Sequence, residues 1–268
     1  MTEASAQAAG PRPAQAGSAL PALGPTLAAL LEVDFTVQLR SYRSLLLSLV
    51  LPVVILVAFS ANKRAAALAD PRVRVSLVMI LGMATIAIFG YALNTATDRE
   101  AGVFQRLRVT PAPTWAILMS RLVVQVAVIL LMAIVVLIVA RIFQNVTLDA
   151  LAYGLTLAVA IAGAAVFLGI GQALVGLVRS ADTLNAVSRL VYIPLFGLGV
   201  LGRTDILGST VQDIGRWSPG GIVVTLLMAA MEPATWGSDA WWSLLACVGY
   251  TAVFVFLGIR WFQWGRTE

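Results

Sequence analysis

Charged residues in this chain are spaced so that long stretches carry none. Arg43 and Lys63 enclose 19 uncharged residues, Arg74 and Asp98 enclose 23, Arg121 and Arg141 enclose 19, Asp149 and Arg179 enclose 29, and Asp239 and Arg260 enclose 20. An α-helix rises about 1.5 Å per residue, so roughly 18 to 20 apolar residues cross about 30 Å of hydrocarbon. All five intervals reach that length. In lipid every backbone N–H and C=O must be paired within the chain, so such intervals fold as helices. Two shorter intervals, 13 residues between Arg189 and Arg203 and 15 between Arg216 and Glu232, do not reach it alone. With 60% of 268 residues hydrophobic, 12% charged and a mean hydropathy of +0.91, the chain is not an ordinary soluble domain, nor disordered or collagen-like. It reads as an all-α membrane protein.

Several chemistries are excluded at once. There is no histidine, which removes histidine-ligated metals, Ser-His-Asp triads and imidazole acid–base work. The single cysteine, Cys247, lies in an apolar run and allows no intrachain disulfide. No buried acid pair or Ser/Lys pair falls in an interval, so we expect no catalytic residue and no metal site. The net charge of +5 is spread thinly between apolar blocks and does not read as a nucleic-acid surface.

Residues 1–25 are rich in Ala, Pro and Gly and read as a disordered tail rather than a signal peptide. Residues 26–43 read as an amphipathic surface helix with Leu27, Leu30, Leu31, Phe35 and Leu39 roughly on one face. Six spans are expected in 44–265, near 44–61, 74–97, 116–140, 150–178, 186–204 and 239–260. The fifth requires Arg189 to snorkel. The outer region 205–238 holds the Pro219-Gly220-Gly221 start of an apolar block, 217–231, which fits a re-entrant element entering and leaving on one side. Six spans place both termini in the cytoplasm, where Arg260, Trp261, Trp264 and Arg266 form an aromatic and basic rim. Eleven arginines then fall inside and seven basic residues outside; Lys63, Arg64, Arg72 and Arg74 oppose the usual inward bias. Trp236, Trp241 and Trp242 read as an outer aromatic belt. The Asn145-Val146-Thr147 sequon is not expected to be glycosylated.

The loop 98–115 is the most specific stretch. On a helix from Asp98 to Arg108, Val103, Phe104 and Leu107 form an apolar stripe flanked by Arg99, Arg106 and Arg108, and Glu100 falls in the stripe's sector. Pro111 and Pro113 stop it. Such a helix can dock into a groove on a soluble partner or lie on the membrane as a hinge. Asp98-Arg99-Glu100, Gly102, Leu107-Arg108 and Thr110-Pro111, set between two spans, resemble the corresponding loop of type 2 ABC exporter membrane subunits. Val103 and Gln105 depart from the small polar and acidic residues usual there.

The resemblance implies a permease subunit of an ATP-driven exporter in a bacterial cell membrane. It would pair with a second permease subunit, identical or not, and with separate ATP-binding subunits. The loop would be the cytoplasmic coupling helix, with Glu100, Val103, Phe104, Arg106, Leu107 and Arg108 meeting the partner. The chain has no G-x-x-x-x-G-K-[ST] run, so ATP and magnesium belong to the partner and no cofactor is expected here. In the family the second and fifth spans line the path, which makes Thr85, Tyr91, Asn94 and Tyr192 candidates for its wall. For each, bonding to a neighbouring helix is the competing role. The mostly apolar wall favours a hydrophobic or amphiphilic cargo such as a drug, antibiotic or lipid-like molecule. The rival function is an ATP-independent secondary transporter or channel. It calls for inverted repeats and a charge near a span midpoint; no repeat is seen, and the five long intervals contain no charge.

Overall fold

In the computed structural model, residues 23–40, 42–61, 70–103, 114–202 and 208–261 are described. Among them every regular element is helical: α1 (Leu23–Arg40), α2 (Tyr42–Ala61), α3 (Pro71–Glu100), α4 (Thr114–Phe143), α5 (Ala150–Leu177), α6 (Ala181–Leu201), α7 (Ser209–Trp217), α8 (Pro219–Met231) and α9 (Ser238–Arg260). A 3-10 turn, Pro233–Thr235, links the last two. Helices α3, α4, α5, α6 and α9 are long and apolar enough to cross a membrane. Helix α2 has 20 residues, of which Leu46–Ala61 form a shorter apolar stretch, and the bent pair α7 and α8 together would make a sixth candidate span.

Polar caps set the helix starts. Asp70 accepts from the Arg72 N–H at 2.7 Å with Pro71 at the first position, and Asp149 accepts from the Ala152 N–H at 3.0 Å. Ser218 accepts from the Gly221 N–H at 3.1 Å, again with proline first. Helix α5 lies at the centre, packed on α3, α4, α8 and α9. Its Gly171 lets the α3 backbone approach: a Cβ there would lie 2.6 Å from the Ala87 carbonyl oxygen. At that contact α3 winds as a π-helix over Ile86–Ala92.

Helices α7 and α8 meet at 79°. Val223, near the start of α8, packs on Gly163 inside α5, and Gly220 packs on Gly199 of α6. At the far end of α8, Glu232 pairs with Arg72 at 2.5 Å, beside the start of α3. Arg216 of α7 pairs with Asp239 at the start of α9. The two pairs set the far end of α8 beside the start of α3 and the bend beside the start of α9. Protein covers α8 almost completely, the condition for non-spanning backbone at depth. The Arg72–Glu232 pair also explains one of the four basic residues that opposed the charge bias. Lys63 and Arg64 lie outside the described residues. Trp241 and Trp242 are exposed at the start of α9, and Cys247 is buried with its Sγ 3.5 Å from the Ala162 carbonyl.

Three expectations are corrected. The fifth span starts at Ala181 rather than 186, because Ser180 caps it by accepting from the Thr183 N–H at 3.1 Å. The second span runs to Glu100, so Asp98, Arg99 and Glu100 form its last turn rather than opening a separate loop helix. Helix α1 turns Leu27, Leu30, Asp34 and Gln38 inward and leaves Phe35 and Leu39 exposed. Polar bonds decide that face: Ser120 of α4 donates to Asp34 at 2.5 Å, and Gln125 donates to Gln38 at 3.3 Å.

Candidate functional site

The last turn of α3 is the most connected polar point of the fold. Three consecutive residues there reach three different helices. Asp98 Oδ2 accepts from Arg121 Nη1 of α4 at 2.6 Å. Arg99, only 5% exposed, donates from Nη1 to the Val175 carbonyl at 2.8 Å and from Nη2 to the Val178 and Arg179 carbonyls, each at 2.7 Å. Glu100 Oε1 accepts from the Ala181 N–H at 2.7 Å.

The charges suit what they touch. The C-terminal end of α5 presents unpaired carbonyls and the negative end of its dipole, and there it receives a guanidinium. The N-terminal end of α6 presents free N–H groups and the positive end, and there it receives a carboxylate. The short connection between α5 and α6, residues 178–180, is thus held from both sides by the end of α3. Just beyond, Gly102 at φ 72° ends the helix, with its N–H bonded to the Arg99 carbonyl at 3.1 Å. That left-handed conformation favours glycine and turns the chain into the loop.

Of the six coupling residues, Glu100 and Val103 are described; Val103 is half-buried and follows the turn directly. Phe104, Arg106, Leu107 and Arg108 lie outside the described residues. The bond made by Glu100 ties the end of α3 to the first residue of α6, and its donor is a backbone N–H.

The four path candidates fall in two pairs, Thr85 with Tyr192 between α3 and α6, and Tyr91 with Asn94 along one polar cavity. The Thr85 and Tyr192 hydroxyls are 3.0 Å apart, joining α3 to α6, and Phe89 meets Tyr192 edge-on at 5.5 Å. Tyr91 is buried and donates to Gln172 of α5. Asn94 is exposed and borders a polar cavity of about 240 Å³ with Asp34, Gln38, Asp98, Arg121 and Gln125. Sequence reasoning did not foresee the bonds that Arg99 and Arg121 make across helices, nor the inward Asp34 and Gln38. The signal available was the acid-base-acid order at a span end and a second charge, Arg121, one helix later.

A family model described as ABC-2 type transporter matches residues 26–232, well over half of the chain. No curated protein matches the chain.

Proposed function

The chain belongs to the ABC-2 type transporter family, whose membrane domain is a permease component of an ABC transporter, and on that premise we propose that it is the permease subunit of an ATP-driven exporter. A separate ATP-binding subunit docks on the loop after α3, and a second permease subunit, identical or not, completes the path across the cell membrane. Both termini are cytoplasmic in this reading. ATP and magnesium are handled by the partner.

The single observation that supports it best is the junction at the end of α3. A loop gripped by a moving partner would pull on that end. Through Asp98, Arg99 and Glu100 the pull reaches α4, the end of α5 and the start of α6 together. Helix α3 also carries the π segment Ile86–Ala92, a departure from α-helical winding that is frequent at functional sites. Partner closure is thereby converted into movement of the second and fifth spans, which are bonded to each other at Thr85 and Tyr192. The cargo is a hydrophobic or amphiphilic molecule.

The test is co-purification with the ATP-binding subunit encoded beside the permease, followed by ATPase assays in proteoliposomes. Phe104→Ala and Leu107→Asp are expected to leave the permease folded in the membrane while weakening the partner, since removing a packed aromatic anchor costs on the order of 2 kcal/mol or more. Unchanged partner binding and unchanged ATPase activity in both variants would overturn the proposal.

A further inference from the structure

Arg189 has no role in the junction or in the packing. It is the ninth residue of α6 and so lies about 12 Å of helix rise from that helix's start. It is exposed, and among the described residues no hydrogen bond or ion pair reaches it. Arg121 is as far inside its own helix, and there the structure supplies Asp98.

The surroundings of Arg189 are equally specific. Asp182, Ala186, Arg189, Ile193 and Gly197 recur at helical spacing along one side of α6. Asp182, Ala186 and Ile193 are exposed, and a Cβ on Gly197 would meet nothing within 4 Å. The nearest acid on this strip, Asp182, is two turns back, about 10 Å of rise. The open side of α9 shows what a lipid face looks like here: Trp241, Trp242, Leu245, Val248 and Phe256, without a charge. At about 12 Å of rise inside α6, more than two turns, Arg189 is too deep to reach the helix start by snorkelling; an unpaired guanidinium on a lipid-facing strip is strongly disfavoured, and intramembrane charges mark ion or substrate pathways. One turn along α6 from Arg189, Tyr192 meets Phe89 of α3 ring against ring. The Tyr192 hydroxyl is already committed to Thr85, so this neighbour offers an aromatic surface and little free polarity.

We infer that Arg189 is the anion-binding subsite of the transport path, holding the phosphate, sulfonate or carboxylate head of an amphiphile whose apolar body lies along Phe89 and Tyr192. This rests on the permease reading and narrows its cargo to acidic amphiphiles. A guanidinium gives such a head paired, charge-assisted hydrogen bonds that a neutral head group cannot match.

The test uses the full chain in phosphatidylcholine nanodiscs, without an ATP-binding subunit, with binding read by calorimetry against empty nanodiscs. Dodecyl phosphate is expected to bind about tenfold tighter than dodecanol, the scale of one charged hydrogen bond. Arg189→Lys retains most of that preference and Arg189→Gln abolishes it while dodecanol binding stays. Ile193→Glu, which keeps the arginine and sets an acid one turn away, also reduces it. Nanodiscs containing phosphatidylglycerol separate two sources of the same head group. Arg189-dependent displacement of dodecyl phosphate assigns the site to a membrane lipid, and its absence assigns it to cargo; either supports the anion site. Equal affinity for phosphate and alcohol, or a preference that survives both Arg189→Gln and Ile193→Glu, overturns it. Because no ATP-binding subunit is present, that failure leaves partner-driven transport standing, and a failure of coupling leaves this binding standing.

Discussion

Arg99 serves three carbonyls at one helix end from a nearly dry position. Arg99→Met removes all three donors and leaves the end of α5 unpaired. The expected loss is about 3 kcal/mol, since bonds to charged groups are worth about 1.5 to 3 kcal/mol each and are not additive. It is read as a lower melting temperature of the purified protein, with Arg179→Met, whose side chain is exposed, expected to change it little. Glu100 behaves differently. Glu100→Gln keeps an oxygen for the Ala181 N–H and loses only the charge facing the helix dipole, about 0.5 to 1 kcal/mol. Glu100→Ala loses the acceptor too. A gel-shift or thermal assay should rank them wild type, Gln, Ala. The two residues were unequally legible in the sequence. Glu100 stood out because it shares a helical sector with an apolar stripe. Arg99 looked like a flanking charge, because its partners are backbone carbonyls some 76 to 80 residues away, which no side-chain pattern records.

At the scale of elements, the charge-free intervals located the spans well where caps and charges coincide. The interval 150–178 became Ala150–Leu177, bounded by the capping Asp149. They fell short where a charge is satisfied inside the bundle or where a polar cap starts the helix ahead of a charge. Helix α3 continues through Asp98, Arg99 and Glu100 because those charges are paired, and α6 starts before Arg189 because Ser180 caps it. The π segment was invisible: it depends on which backbone of α5 lies opposite, not on the residues of α3. The face of α1 was misread for a related reason, since apolar periodicity could not foresee Asp34 and Gln38 bonding to α4. The α3–α5 contact yields a prediction. Gly171→Val places carbon against the Ala87 carbonyl, forces the helices apart and strains the Tyr91–Gln172 bond. Overpacking of this kind costs roughly 1 to 3 kcal/mol. Gly154→Val, with nothing within 4 Å of its Cβ, is the matched control. Equal melting temperatures for the two variants would refute the close approach.

For the whole molecule, the fold has two differently tied ends. One end is fixed by Arg72–Glu232 and Arg216–Asp239, which anchor the bent helix pair. The other is gathered by Asp98-Arg99-Glu100 beside the loop proposed to meet the partner. The central claim is that this second junction carries partner motion into the fifth span. It can be measured without knowing the cargo. The lone cysteine is first replaced, Cys247→Ala, and a reporter is placed on the open strip of α6, Ile193→Cys. The permease is reconstituted with its ATP-binding subunit, and the rate of labelling by a membrane-impermeant maleimide is compared with and without ATP. The account predicts an ATP-dependent change in labelling that disappears in Glu100→Ala while ATP hydrolysis continues. An ATP-dependent change of the same size in Glu100→Ala would contradict it.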